Sequence, residues 1–236
     1  MVKHALNSFL ALSITFINEI ARLCERTGAD AKEVAAGLKS DVRIGPRAYL
    51  GPGGPFAGGT LARDVVTLTH LASVNGESVP LISAIKQSND EHRHWNFRLL
   101  QLRLGSLAGQ TIAVLGLTYK PGTDTLRRSA AVELCRELIK AGASVRAVDP
   151  VVKSLPEDLS KTALFSSVPE ALLHADAVVI CTEWPEFRRI NWLEAVKRMS
   201  GRLVLDANRF LEKELKQAPG VDHVSVGVSV QQLSEK

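Results

Sequence analysis

The hydrophobic pattern of this chain changes its period once, near residue 106, and that change most constrains the fold. Before it, apolar residues recur at helical spacing in long runs. After it, short β-rich runs alternate with helical segments, and this alternation indicates a parallel sheet covered on both faces. The sequence therefore predicts an all-helical domain over residues 1–105, followed by a Rossmann-like parallel-sheet α/β domain over residues 106–236.

The elements of both domains can be predicted from the same pattern. In the first domain we expect helices over 4–27, 61–74 and 79–104. Another helix is expected to begin at Asp30, which forms a capping box with Glu33. In the second domain we expect about five strands, with helices at 128–141, about 168–174 and 189–199. The predicted strands are TIAVLGL, SVRAVD, AVVICT, RLVLDA and HVSVG.

Composition excludes several classes of protein. The net charge of +4 is carried by scattered basic residues with few aromatics beside them, which is too diffuse for a nucleic-acid interface but suits an anionic small ligand. The apolar N-terminal stretch continues into polar residues at helical spacing, so we expect an amphipathic helix that does not span a membrane. The three cysteines, Cys24, Cys135 and Cys181, have no metal-site spacing, and we expect buried reduced thiols in a cytoplasmic protein.

A glycine-rich loop precedes the third predicted helix. It reads RIGPRAYLGPGGPFAGGTLARD over residues 43–64, with a basic start, six glycines and a final Arg-Asp pair. Glycines let backbone amides approach a ligand closely, so the loop indicates binding of an anionic or sugar-bearing molecule, although such runs also serve as plain connectors.

Three motifs together resemble the UDP-glucose/GDP-mannose dehydrogenase family. The loop resembles the family's active-site loop at Arg43, Ile44, Gly45, Tyr49, Leu50, Pro52, Gly53, Gly58 and Asp64. The string GLTYKPGTDTLRRS resembles its third-domain motif at Lys120, Pro121, Thr123, Asp124, Arg127 and Ser129. Lys3 and Asn7, four residues apart and followed by Phe-Leu-Ala, resemble its central-helix signature. Because these motifs keep the family's order from residue 2 to about 227, the chain is identified as a member.

The resemblance implies a function and a set of site residues. The first domain becomes the central dimerisation domain, with Lys3, Asn7 and Asp64 as catalytic-site residues, and a homodimer forms through the central helices. The substrate is a UDP- or GDP-sugar and the cofactor of the full-length enzyme is NAD. The residues expected to bind substrate are Arg43, Tyr49, Gly53, Tyr119 and Lys120. Arg127 is expected to reach toward the cofactor.

Three departures from the family pattern qualify that expectation. Thr60 stands at the position of the nucleophilic cysteine, and because a hydroxyl is a far weaker acid than a thiol we predict no covalent intermediate there. No Gly-x-Gly-x-x-Gly follows any predicted strand, so we expect the main nicotinamide site to be absent and the chain alone to be inactive. Asn208 occupies a position where the family often has arginine, with Arg209 one residue later.

The sequence supports three functional hypotheses. The main one is the substrate-binding and dimerisation portion of an NAD-dependent nucleotide-sugar dehydrogenase, whose full-length form oxidises a sugar, stopping at an aldehyde or ketone. The alternatives are a non-catalytic sugar-nucleotide binder and a dimerisation module that binds no nucleotide. The base and the sugar are not determined by the sequence.

Overall fold

The computed structural model describes residues 1–229 of the chain, which form two compact units. The first unit contains residues 1–93 together with residues 225–229, and the second contains residues 94–224. The four helices of the first unit are α1 (Val2–Thr27), α2 (Ala31–Ser40), α3 (Thr60–Val74) and α4 (Pro80–Arg93). The predicted helices over 4–27 and 61–74 are confirmed, and the Asp30 side chain caps α2 by accepting from the Lys32 amide at 2.8 Å.

Helix α1 is the centre of the first unit. Its buried face packs against α3, α4 and α2. Two apolar clusters form that core, one around Ala11, Val65 and Ile85 and the other around Ile17 and Ala35. This packing fixes which face of α1 meets the start of α3, where the predicted catalytic residues lie.

Six strands form one parallel sheet in the second unit, within residues 94–224. The strands are β1 (Thr111–Leu115), β2 (Ser144–Val148), β3 (Thr162–Phe165), β4 (Ala177–Ile180), β5 (Leu203–Asp206) and β6 (Asp222–Val224). The helices are α5 (Trp95–Leu104), α6 (Ala130–Lys140), α7 (Val168–Ala171), α8 (Trp192–Lys197) and α9 (Glu212–Leu215), with 3₁₀ turns at Glu157–Leu159 and Pro185–Arg189. The spatial order β3-β2-β1-β4-β5-β6 is that of the Rossmann fold. The predicted Rossmann-like class is therefore confirmed.

The structure corrects two of the predicted elements. The predicted helix over 79–104 is two helices, because the chain turns at His94, whose Nδ1 lies 2.6 Å from Glu137 Oε1 on α6, and Trp95 is then buried. The sheet has six strands rather than about five, because β3 was missed. That strand has four residues, pairs only with β2 and is partly exposed, so its sequence carries little periodic signal.

The two compact units divide the chain at a different point from the predicted boundary at 105/106. Helix α5 packs on α6 and so belongs with the sheet. Residues 225–229 belong with the first unit, where the Gly227 carbonyl accepts from the Ala31 amide at 2.9 Å and the Gly227 amide donates to Glu25 at 3.0 Å. The remainder of the predicted second domain, residues 230–236, lies outside the described residues.

Across residues 1–229, no helix combines the length and the apolar character that crossing a lipid bilayer requires.

Candidate functional site

Two predicted catalytic residues meet where α1 packs against the first turns of α3. Asp64, on α3, is only 2% exposed, and its Oδ2 accepts a hydrogen bond from the Asn7 side chain on α1. His4, one turn before Asn7, places Nδ1 2.9 Å from Asp64 Oδ1. Lys3 is exposed on the same turn of α1. Asn7 and Asp64 are thus in direct contact, and His4 is a neighbour that the sequence reasoning missed.

The surroundings of Asp64 favour its charged form. The hydrogen bond from Asn7 is the largest cause that holds the pKa of the Asp64 carboxyl below its ordinary value, and burial opposes it. The hydrogen bond from His4, its charge and the charge of Lys3 act in the same direction as Asn7. The carboxylate is therefore ionised at neutral pH and acts purely as an acceptor.

Thr60 begins α3 and is exposed, one helical turn before Asp64. Within the described part of the chain, its hydroxyl is not hydrogen-bonded to any basic side chain. An alcohol without a general base is not an effective nucleophile. The surroundings of Thr60 therefore give no support to a covalent role.

The predicted ligand residues of the glycine loop are placed in different ways. Arg43 makes two hydrogen bonds to Asp41, through Nε at 3.0 Å and Nη2 at 2.6 Å, and this pairing lowers the pKa of the Asp41 carboxyl. Tyr49 is 57% exposed. Gly53 is buried; its amide donates to Asn18 Oδ1 at 3.0 Å and its carbonyl lies 2.7 Å from His92 Nε2. The backbone of Gly53 is thus engaged within the unit, and a ligand role for these three residues stays a prediction.

Buried amide side chains hold the glycine loop in place. Asn18, on the core face of α1, also donates to the Gly54 carbonyl at 3.4 Å. Asn89, on α4, accepts from the Phe56 amide at 2.9 Å and donates to its carbonyl at 3.1 Å. These residues were missed by the sequence reasoning. The signal was present, because buried asparagines on otherwise apolar helix faces require partners and a glycine-rich loop has free backbone groups.

In the second unit, the strand order reverses between β1 and β4. Ligands of open α/β sheets bind beyond the carboxyl ends of the strands at such a reversal. The loops there are residues 116–129, which follow β1, and residues 181–184, which follow β4. They contact each other, since the Thr182 hydroxyl donates to the Thr118 carbonyl at 2.5 Å. The predicted residues Tyr119, Lys120 and Arg127 all lie on the first of these loops.

A buried carboxylate fills the turn that follows β1. Asp149, at the end of β2, accepts from the amides of Leu117 and Thr118 at 2.7 and 3.1 Å and from the Trp184 indole at 3.2 Å. Gly116 has φ +86°, and a Cβ there would lie 2.4 Å from Thr182 Cβ. A dinucleotide pyrophosphate would need these amides and this space. The turn therefore does not fit NAD, and we assign no cofactor step to this unit.

The cationic residues of the β1 loop are accessible. Lys120 is exposed, and its Nζ lies 5.5 Å from the centroid of the Tyr119 ring, which is 38% exposed. Arg127 is also exposed. The loop leads into α6, whose N-cap Ser129 accepts from the Ala131 amide at 3.2 Å. Exposed cations before a helix N-terminus suit a phosphate group.

The family's arginine position carries a different contact. Asn208, after β5, donates to Glu183 Oε1 at 2.5 Å, which joins the loop after β5 to the loop after β4. Arg209 has a left-handed backbone, with φ +56°. The backbone of Arg209 is left-handed and that of Asn208 is not, so the two side chains leave the chain in different directions. Arg209 therefore does not simply replace an arginine at position 208.

The three cysteines are free thiols. Cys24 and Cys135 are buried and Cys181 is half-buried. Burial raises the pKa of Cys135 to about 12 and also raises the pKa of Cys24 and Cys181. The prediction of buried reduced thiols is confirmed for Cys24 and Cys135, and none of the three has the low pKa of a nucleophilic cysteine.

Comparison with known proteins extends over nearly the whole chain. Residues 1–91 match the central domain of the UDP-glucose/GDP-mannose dehydrogenase family, and residues 113–213 match its UDP binding domain. The UDP-glucose 6-dehydrogenase of Rickettsia prowazekii is 35% identical over 235 residues, which are 98% of this chain and 54% of that enzyme. The Bacillus subtilis UDP-glucose 6-dehydrogenase TuaD is 35% identical over 232 residues, or 96% of this chain and 50% of TuaD.

Solved structures agree with this assignment. The UDP-glucose dehydrogenase of Pyrobaculum islandicum matches 97% of this chain and 50% of its own, with a TM-score of 0.80 and 30% identity. The UDP-D-ManNAc dehydrogenase of Pyrococcus horikoshii matches 96% of this chain and 51% of its own, with a TM-score of 0.78 and 27% identity. The chain thus spans about half the length of the curated relatives it matches. It belongs to the UDP-glucose/GDP-mannose dehydrogenase family, of which it contains the central and UDP-binding domains.

Proposed function

We propose that this chain is the substrate-binding and dimerisation portion of an NAD-dependent nucleotide-sugar dehydrogenase, and that its second unit binds the diphosphate of a UDP-sugar. The observation that carries the proposal is the exposed cation Lys120 beside Tyr119, on the loop at the point where the strand order reverses. A Lys ammonium binds phosphate as a compact charge. The relatives' names favour UDP-glucose among the sugar nucleotides.

The chain alone binds this ligand without oxidising it. The turn after β1 is filled by Asp149, and the sequence contains no glycine fingerprint for a dinucleotide. Thr60 lacks the acidity of a thiol, and no base among residues 1–229 is hydrogen-bonded to it. In a protein that also binds NAD, oxidation would therefore stop at the aldehyde or ketone. The free thiols fit a reducing compartment, which we propose to be the cytoplasm.

Calorimetric titration of the chain with UDP-glucose tests the proposal, with GDP-mannose and NAD as comparators. We expect UDP-glucose to bind, and Lys120→Ala to weaken it about tenfold or more, because charge-assisted hydrogen bonds contribute about 1.5–3 kcal/mol. Lys140→Ala is the matched control: Lys140 is also exposed, but it ends α6 at the opposite edge of the sheet. Equal losses in both variants, or no binding of any sugar nucleotide, would overturn the proposal.

We also propose that the chain pairs with a second copy through α1. Five apolar side chains of α1 are between 46% and 83% exposed: Val2, Leu6, Phe9, Phe16 and Leu23. With Ser13 and Ile20 they follow a repeating spacing of four and three residues, which places all seven on one face of the helix. A contiguous apolar face of this kind marks an interaction surface.

The occupant we propose for this face is the same face of a second chain. When two α1 helices run antiparallel about Ser13, every apolar residue meets an apolar partner. The pairs are Val2 with Leu23, Leu6 with Ile20, Phe9 with Phe16, and Ser13 with itself. A two-fold interface requires such self-complementarity, since each patch must fit its own copy.

A further inference from the structure

A cavity lies within the second unit, beyond the carboxyl ends of β2 and β3. Its volume is about 520 Å³, inside the range of about 300–1,000 Å³ that is usual for small-molecule sites. Apolar side chains and a few polar groups line it together, which is the composition of a ligand site. Among the described residues that line it, none belongs to the loop 116–129, so the cavity is distinct from the diphosphate site proposed at Lys120. The lining residues that matter below are Asp149, Phe165, Ser166, Glu186 and Phe187.

The place of the cavity in the sheet points to a nucleoside. In a sheet of this strand order, a bound nucleotide sets its phosphates against the turn after the first strand, and an acidic residue farther along the chain accepts from a ribose hydroxyl. In this protein Asp149 fills the phosphate position, and the cavity begins beside it, since Asp149 also lines the cavity. The fold therefore offers space for a nucleoside without offering its usual phosphate position.

Glu186 is the carboxylate that can accept from a ribose in this cavity. Both oxygens of Asp149 are already engaged: Oδ2 accepts from two amides of the turn after β1, and Oδ1 accepts from the amides of Val151 and Val152 at 3.0 and 3.3 Å. Glu186 is exposed, and no group of residues 1–229 forms an ion pair or a hydrogen bond with its side chain. A carboxylate accepts without donating, which suits the two hydroxyls of a ribose.

Two aromatic side chains give the cavity a surface for a planar base. Phe165, the last residue of β3, is half-buried, and Phe187 is only 2% exposed. The Arg146 guanidinium on β2 lies 5.7 Å from the centroid of the Phe165 ring, so the ring has a partner on the neighbouring strand. Every nucleobase has a face that stacks on aromatic side chains, so these walls suit a base without selecting one.

We propose that this cavity is a nucleoside site, in which the base lies against Phe165 and Phe187 and the ribose hydroxyls donate to Glu186. Two ligands carry a nucleoside: a separate purine nucleotide, and the UDP-sugar of the proposed function. In the second case the site rests on the proposed function and extends it from the diphosphate to the uridine.

Calorimetric titration of the chain with adenosine and with uridine tests the site, because neither carries a diphosphate that depends on Lys120. We expect at least one of the two to bind the unaltered protein, and Ser166→Trp to abolish that binding by filling the cavity. Ser166 is exposed, so circular dichroism should show an unchanged fold. Ser160→Trp is the matched control: Ser160 is also exposed, but it precedes β3 at the opposite edge of the sheet.

A second pair of variants tests the carboxylate. Glu186→Ala should weaken binding of the ribonucleoside about tenfold or more, the loss of hydrogen bonds to a charged group, and should leave binding of its 2′,3′-dideoxy analogue unchanged. Glu157→Ala is the control, because Glu157 is an exposed glutamate of the other 3₁₀ turn, before β3. It should change neither affinity.

The outcomes separate the ligand sources and the two proposals. Preference for adenosine would identify a separate purine nucleotide, whereas preference for uridine with displacement by UDP-glucose would identify the uridine end of the substrate. Binding of neither nucleoside, or equal losses in Ser166→Trp and Ser160→Trp, would overturn the site. If Glu186→Ala still discriminated fully against the dideoxy analogue, the role of Glu186 would be wrong. If adenosine binds and UDP-glucose does not, the proposed function fails and the nucleoside site stands.

Discussion

At the residue scale, the buried carboxylate of Asp64 organises the candidate site of the first unit. It is ionised, accepts from Asn7 and His4, and lies near the charge of Lys3. Its contribution to stability depends on pH. Because the pKa of Asp64 is lower in the folded protein than in the unfolded chain, the unfolded chain binds more protons in the acid range and stability rises with pH there.

We predict that Asp64→Asn flattens this acid dependence. The stabilisation from the ionised carboxylate is fully present above the unfolded value of about 3.9 and is lost as the pH falls through the lower folded value. Urea denaturation of the unaltered protein and of Asp64→Asn between pH 7 and pH 3 measures the effect. The difference in unfolding free energy between the two proteins should shrink as the pH falls. A difference that is constant over the whole range would mean that the Asp64 pKa is not lowered by folding.

Part of this cluster could be predicted from the sequence. The resemblance of Lys3, Asn7 and Asp64 to the family motifs predicted that they share a site, and the structure brings Asn7 and Asp64 into contact. His4 was missed, because a histidine between two motif residues has no periodic or family signal. Its relevance depends on how α1 is rotated against α3, and that rotation is set by tertiary packing around Ala11 and Val65.

At the element scale, the turn after β1 shows how a Rossmann-type sheet can keep its fold with a protein carboxylate in place of a dinucleotide phosphate. Asp149 supplies the negative charge that a bound phosphate would otherwise place against the amides of Leu117 and Thr118. Gly116 permits the turn, with φ +86° and Thr182 directly against it. The loop that carries Lys120 is thereby anchored by the hydrogen bonds of Asp149 and Thr182.

We predict that Gly116→Ala destabilises the protein by about 1–3 kcal/mol more than Gly122→Ala, through overpacking against Thr182. Gly122 is a matched control, because it lies on the same loop with φ +75° but has open space where a Cβ would be. Both substitutions share the cost of a left-handed backbone, so their difference isolates the steric contact. Chemical denaturation of the two variants gives the comparison. Equal losses of stability would show that the loop shifts away from Thr182 without cost.

Elements with a strong period were predicted and weak ones were not. The long helices α1 and α3 and the five more regular strands follow from hydrophobic spacing. The strand β3, the break at His94 and the return of residues 225–229 to the first unit depend on contacts between residues far apart in the chain. Local patterns cannot encode a hydrogen bond between Gly227 and Glu25.

At the scale of the whole molecule, the exposed apolar face of α1 is the main feature that the described residues leave uncovered. A charge on that face would oppose pairing, because it would be desolvated without a partner. The monomer would tolerate the same charge, since Phe16 already contacts solvent. Assembly and folding can therefore be separated by substitutions on one helix.

The proposed two-fold axis beside Ser13 makes a sharp prediction about oligomeric state. Under mild oxidation Ser13→Cys should form a disulfide-linked dimer, because two copies of residue 13 would face each other at a distance that a disulfide can span. Arg26→Cys is the control: Arg26 is exposed on α1 but lies off the apolar face, so it should not cross-link. The native thiols should not interfere, because burial raises the pKa of Cys24, Cys135 and Cys181 and so disfavours the reactive thiolate. Non-reducing electrophoresis detects the disulfide link. In a second experiment, sedimentation of Phe16→Glu should show a shift from dimer to monomer, while circular dichroism shows unchanged helical content. Cross-linking of Arg26→Cys instead of Ser13→Cys would require a two-fold axis near residue 26 and so contradict the proposed pairing, and a monomeric unaltered protein would exclude the dimer altogether.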